Sequence, residues 1–121
     1  MAQEISINLR MRVNKGFLIH EDSVTNQLVD MTGSVAAGGV QNVGTNPEVI
    51  VVNDVATAGY SFFRNTGATN FVELGTGTGT SFVAFAKLKA GESSCLRLGT
   101  NAPTARANVA AIDLQYYIVS D

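Results

Sequence analysis

The 121-residue sequence predicts an all-β fold, an antiparallel β-sandwich of jelly-roll-like form built from eight to ten short strands. Three observations carry this. Ile5, Ile7, Leu9, Met11 and Val13 alternate with polar residues at period two, which is the spacing of a strand with one apolar face. Further short apolar runs recur along the chain with Gly-, Asn- and Asp-rich turn signals between them. No stretch carries a convincing 3.6-residue apolar stripe, so short strands in two packed sheets remain the natural way to build a core.

Taken in order, Ile5 to Val13 forms the first strand, and Asn14-Lys15-Gly16 turns the chain. Phe17-Leu18-Ile19 then resumes as a short apolar run, with His20-Glu21-Asp22 read as a solvated turn after it. Asn26 to Thr32 is a weaker strand candidate. Gly33 to Pro47 is expected to be loop, interrupted by a short strand around Val40 to Val43. Glu48 to Val52 is β-branched and too short for a helix, hence a strand buried on both faces. Gly59 to Arg64, a turn from Asn65 to Asn70, and Phe71 to Leu74 are read as a hairpin. Gly75 to Thr80 connects to a strand over Ser81 to Leu88, and a tight turn at Lys89 to Glu92 leads into Ser93 to Leu98. After the turn Gly99 to Pro103, the alanine-rich Thr104 to Asp113 has room for one turn of helix. The last strand runs from Ala111 to Val119. With no repeat and no linker, one domain over 1–121 is expected, residues 1–15 forming a terminal strand able to pair with a neighbouring subunit.

Composition narrows the function. Charged residues make up 15% of the chain, well under the usual quarter, and small neutral polar residues replace them. Such a surface packs against a neighbour at low desolvation cost, which favours assembly. Eight basic and ten acidic residues are spread without a basic run, so no nucleic-acid partner is expected. The single Cys95 excludes an internal disulfide and a cysteine zinc site, and a packed mid-strand side chain is expected there. The start of the chain lacks the pattern of a signal peptide, and no apolar run is long enough to span a bilayer. Synthesis and use in a cytoplasm, with no membrane partner, are expected.

No catalytic, cofactor or metal site is expected. His20 is the sole histidine and would have to serve every role in a hydrolytic site. The Gly75–Thr80 segment has G-x-G spacing, but a strand rather than a helix follows it and no lysine lies in it, which removes the phosphate-binding mechanism. Tyr60, Tyr116 and Tyr117 are the plausible platforms for a sugar, and one of the adjacent pair must point outward.

Several strings in the second half carry a resemblance. Gly59-Tyr60-Ser61-Phe62-Phe63-Arg64-Asn65 with Asn70-Phe71-Val72-Glu73-Leu74-Gly75, the run Phe82 to Glu92 with Leu96-Arg97-Leu98, and Ala105-Arg106-Ala107-Asn108 with Leu114 to Ile118 resemble small virion proteins of tailed bacteriophages. The likeness covers Gly59 to Asp121 and rests on strand and turn spacing; Gln41-Asn42-Val43-Gly44 fits more loosely. It implies a non-enzymatic capsid decoration, or cement, protein of β-sandwich fold. Such proteins sit as homotrimers on the major capsid protein lattice at the virion surface and stabilise the shell against internal pressure. In that setting Ile5, Ile7, Leu9, Met11 and Val13 are the expected interface, as an exchanged or clamping strand; an ordinary edge strand is the competing reading. A tail- or fibre-associated module binding a host surface glycan is the alternative function.

Overall fold

The strand nearest the C-terminus shows how the sequence dictates the core. From Ile112 to Ser120, Ile112, Leu114, Tyr116 and Ile118 are buried while Asp113, Gln115 and Tyr117 are exposed, the two-residue alternation of a strand with one face in a core. A computed structural model describes residues 3–99 and 101–121 of the chain; Met1 and Ala2 of the expected terminal segment and Thr100 of the expected Gly99–Pro103 turn lie outside the described residues. The described residues form ten strands and one short 3-10 turn. They fall into two compact units, one from residue 3 to 32 and one from 33 to 121 without residue 100.

The second unit is an antiparallel sandwich of eight strands: β3 (Ala36–Val43), β4 (Glu48–Val49), β5 (Ala58–Asn65), β6 (Val72–Thr76), β7 (Val83–Leu88), β8 (Ser93–Arg97), β9 (Thr104–Ala107) and β10 (Ile112–Ser120). One sheet runs β3-β10-β5-β8 and the other β4-β9-β6-β7. First therefore pairs with last, second with second-last, and so inward to the β6–β7 hairpin. That is a long hairpin rolled up into two sheets, the jelly-roll arrangement. Between the sheets lie Val43, Ile50, Phe63, Val72, Leu74, Leu114 and Ile118, all essentially sealed from solvent.

This topology corrects one sequence reading. Gly59–Arg64 and Phe71–Leu74 do not pair as a hairpin: β5 belongs to one sheet and β6 to the other. The connection between them crosses the sandwich and is held by Asn65, whose fully buried side-chain amide donates to the carbonyls of Asn70 (2.9 Å) and Leu88 (3.0 Å). Its Oδ1 accepts from the Gly67 N–H at 2.9 Å. The Lys89–Glu92 turn is a second crossing, from β7 to β8, and it docks on the same residue: the Asn65 N–H donates to the Glu92 carbonyl and the Gly91 N–H to the Asn65 carbonyl, both at 2.9 Å. Turn chemistry is visible in sequence, but which sheet receives the next strand is decided by burial on both sides.

Other expectations shift as well. The expected loop 33–47 holds the eight-residue strand β3, in which Gly38 packs under the Tyr117 ring: a Cβ there would collide with it. Glu48 to Val52 is strand only at Glu48–Val49 and is not buried on both faces; Ile50 is sealed but Val51 is exposed. Thr104–Ala107 is strand β9 rather than a helical turn. The Ser81–Leu88 strand begins at Val83, after a 3-10 turn at Gly79–Ser81.

The first unit is a long antiparallel hairpin of β1 (Ile5–Lys15) and β2 (Leu18–Val29). Lys15 pairs with Leu18, leaving Gly16-Phe17 as a two-residue loop with Gly16 at φ +58°, as a first-position glycine in such a loop requires. The His20-Glu21-Asp22 segment is therefore not a turn. It lies within β2, opposite Val13, Arg12 and Met11. Asn26 to Thr32 is not a separate strand either, since β2 ends at Val29.

Candidate interaction surface

Within β1, the odd-numbered residues Ile5 to Val13 share one face. The pairing slips by one residue between Ile7 and Leu9, where Asn26 takes φ +56°. Asn8 Oδ1 accepts from the Asn26 N–H (2.7 Å) and Ser6 Oγ donates to Asn26 Oδ1 (3.1 Å), fixing this bulge. The slip has a purpose readable from the sequence once the register is known. It places Val29 and Gln27 on one side of the bulge, and Val24, Asp22, His20 and Leu18 on the other, all on the β1 apolar face. Without it either Val29 or Val24 would point to the polar face.

Of the expected interface residues, Ile7 is buried, Ile5 and Val13 are half-buried, and Leu9 (42% exposed) and Met11 (58%) are open. Val24 and Leu18 are exposed beside them, and Leu9, Met11, Asp22 and Val24 line a shallow concavity on the hairpin. A contiguous apolar face differs from scattered exposed leucines, which need no explanation. The expected buried face of the first strand is thus apolar but largely uncovered toward the loop. At the loop itself Phe17 is fully exposed (107%).

The polar groups of the hairpin are sorted by strand. β1 carries Arg10, Arg12 and Lys15 and no acid; β2 carries Glu21 and Asp22 and no Lys or Arg. Arg10 Nε meets Glu21 Oε2 at 2.9 Å on the polar face. On the apolar face His20 Nε2 lies 2.7 Å from Asp22 Oδ2. Both residues are exposed, and no group of three metal-binding side chains occurs among the described residues. At the open end of the hairpin Glu4 Oε2 accepts from the Met31 N–H (3.1 Å). Its own backbone N–H and that of Met31 hold its carboxyl below the ordinary value.

The remaining sequence candidates are scattered over the sandwich. Gly75 opens the Gly-Thr segment because a Cβ there would strike the Val83 carbonyl across the β6–β7 pair, and Gly77 needs φ +82°. The glycines serve a strand-to-strand bend. Cys95 is half-buried opposite Phe62, and burial pushes its thiol up. Tyr116 is buried and donates its hydroxyl to the Val51 carbonyl at 2.7 Å, so it is no platform. Tyr60 lies under Arg97, which ion-pairs with Asp121. Tyr117, 55% exposed, stands beside Phe62 in a row across the outer face of the β3-β10-β5-β8 sheet. Phe62 is the platform residue that sequence reasoning missed; only the β5–β10 register brings it to Tyr117.

No protein-family model, no curated protein and no solved structure matches this chain.

Proposed function

We propose that the chain is a structural protein of a tailed-phage virion, a capsid decoration (cement) protein that binds the major capsid protein at the head surface and stabilises the shell. The observation that carries this reading is a jelly-roll body joined to a separate hairpin whose apolar face is exposed. Eight-stranded jelly rolls recur among capsid and lectin domains, a fold-level analogy that fits the resemblance in the sequence. The hairpin supplies what a cement protein needs, apolar surface free to be covered by another chain. The low charge of the remaining surface lowers the desolvation cost of packing onto a shell.

The test is addition of the purified protein to heads that lack it. Expected are saturable attachment at a copy number near that of the major capsid protein and greater resistance of the heads to heating. Phe17→Ser, at a fully exposed position, is expected to weaken attachment without altering folding. Attachment to tails alone, or a few copies per particle, overturns the reading.

The Tyr117–Phe62 row supports the alternative, a tail- or fibre-associated module that stacks on a host surface glycan. It predicts saturable binding to cell-wall carbohydrate that is lost in Tyr117→Ala and Phe62→Ala.

A further inference from the structure

We infer that the outer face of the β3-β10-β5-β8 sheet binds an acidic saccharide, stacked on Tyr117 and Phe62 and held through its anionic group by Arg64. This deepens the glycan-binding alternative and rests on it; the proposed attachment to heads neither requires it nor is required by it.

Register builds the platform. Gly38, Tyr117, Phe62 and Cys95 form one row across the sheet, and Val40, Gln115, Arg64 and Ser93 form the next. Tyr117, Gln115, Phe62 and Arg64 are exposed, on the face opposite the buried Leu114, Tyr116 and Phe63. The two rings thus stand between a glycine and a half-buried cysteine, and no bulky side chain of their own row blocks approach to either. Gly38 adds a second feature. A Cβ there would come within 2.5 Å of Tyr117 Cδ1 and 3.2 Å of Cε1, so the ring leans over the glycine. One face of the phenol is turned down onto β3 and the other out to solvent. An open aromatic face of this kind offers its π-cloud to the C–H face of a pyranose.

The polar groups beside the rings select the sugar. Gln115 and Arg64 lie opposite one another, and among the described residues neither side chain is engaged in a hydrogen bond or ion pair. Arg64 follows Phe62 by two residues on the same face of β5, about 7 Å along the strand, a span its own side chain can cover. Arg97, in the row on the other side of the rings, is already placed over Tyr60 and paired with Asp121. The carboxylate on this face of β10, Asp113, is four residues from Tyr117, about 14 Å along the strand, and accepts from the Asn42 amide at 2.9 Å. The charge nearest the platform without a partner is therefore positive. A guanidinium takes a carboxylate or a phosphate through two parallel N–H groups, and Gln115 adds a donor and an acceptor for sugar hydroxyls. A neutral sugar would gain the stacking and the hydroxyl contacts alone.

The experiment is titration of the full-length chain with four probes: a galacturonic acid oligomer, its methyl ester, a phosphomannan oligomer and a neutral glucan oligomer. Calorimetry reads affinity, and the NMR signals of the Tyr117 ring and Arg64 Nε–H read the place. Expected is saturable binding of an acidic oligomer about tenfold tighter than of the ester or the glucan, weakened by added salt. The tighter of the two acidic probes identifies the anion as carboxylate or phosphate. Arg64→Gln is expected to lower the acidic oligomer to the level of the ester and to leave the ester unchanged, while Arg64→Lys keeps part of the difference. Tyr117→Ala, and Gly38→Ala through displacement of the ring, are expected to weaken every saccharide about tenfold. Arg64→Gln, at an exposed position, decides the matter where either of those variants disturbs folding. Equal binding of acidic and neutral oligomers, lost in Tyr117→Ala, overturns the inference and leaves the glycan alternative standing. No binding of any saccharide overturns both, and weaker attachment of Tyr117→Ala to heads would then make the row a contact with another protein. Binding of acidic oligomers unchanged by Arg64→Gln also overturns the inference, since the anion is then held elsewhere.

Discussion

Asn65 shows how much one polar side chain can organise when it is fully buried. Its amide satisfies three backbone groups on two separate crossings, and its own backbone holds the second of them. Asn65→Ala leaves two carbonyls and an N–H without that partner. A loss of about 2–4 kcal/mol is expected, read as a lower urea midpoint with an unchanged slope. Cys95 sits at the other extreme, a group with reactivity to lose. Burial raises its pKa, so it stays a thiol at neutral pH, and it is expected to react with a disulfide reagent more slowly than free cysteine. Reaction at the free-cysteine rate would mean that the β5–β8 edge opens readily.

At the level of the element, the hairpin is held by features at both ends. Gly16 permits the two-residue loop, and the Glu4–Met31 hydrogen bond ties the open end. Glu4 has its folded-state pKa lowered, so its contribution is present above its unfolded pKa and is lost as pH falls through the folded value. As pH falls through that lowered value the Met31 amide is therefore expected to exchange faster with solvent. Glu4→Gln should abolish that acid dependence, and exchange indifferent to pH in the wild type would contradict the assignment. The apolar alternation of β1 was legible from residues 5–13 alone. The pairing strand β2 was not, because the Asn26 bulge breaks its period and leaves Val24 and Val29 at an odd spacing. A strand interrupted in this way reads as two weak fragments, which is why His20-Glu21-Asp22 looked like a turn.

For the molecule as a whole, the main hydrophobic cluster, from Ala37 to Ile118, belongs to the sandwich unit, while the hairpin contributes the buried Ile7 outside it. A chain of residues 33–121 is accordingly expected to fold cooperatively on its own, with a urea midpoint close to that of the full chain. A large loss of stability on removing residues 1–32 would show that the hairpin contributes to the core. The all-β class, the last strand and the exposed position of one of Tyr116 and Tyr117 follow from local alternation, since side-chain direction in a strand depends only on parity. The same sequence logic identified Ile5, Ile7, Leu9, Met11 and Val13 as one face.

What local alternation could not supply was partnership. Pairing β5 with β10 and β8, and β6 with β9 and β7, depends on how apolar faces from distant segments meet across the sandwich. The sequence by itself determined the strand character and faces of β1 and β10 and the chemistry those faces carry, because these arise from neighbours two residues apart. Only the tertiary structure decided that Phe62 stands beside Tyr117, that Asn65 joins two crossings, and that the apolar face of β1 is left open toward its loop. Each of these is set by long-range register, which is selected by burying the whole core at once rather than by any one segment.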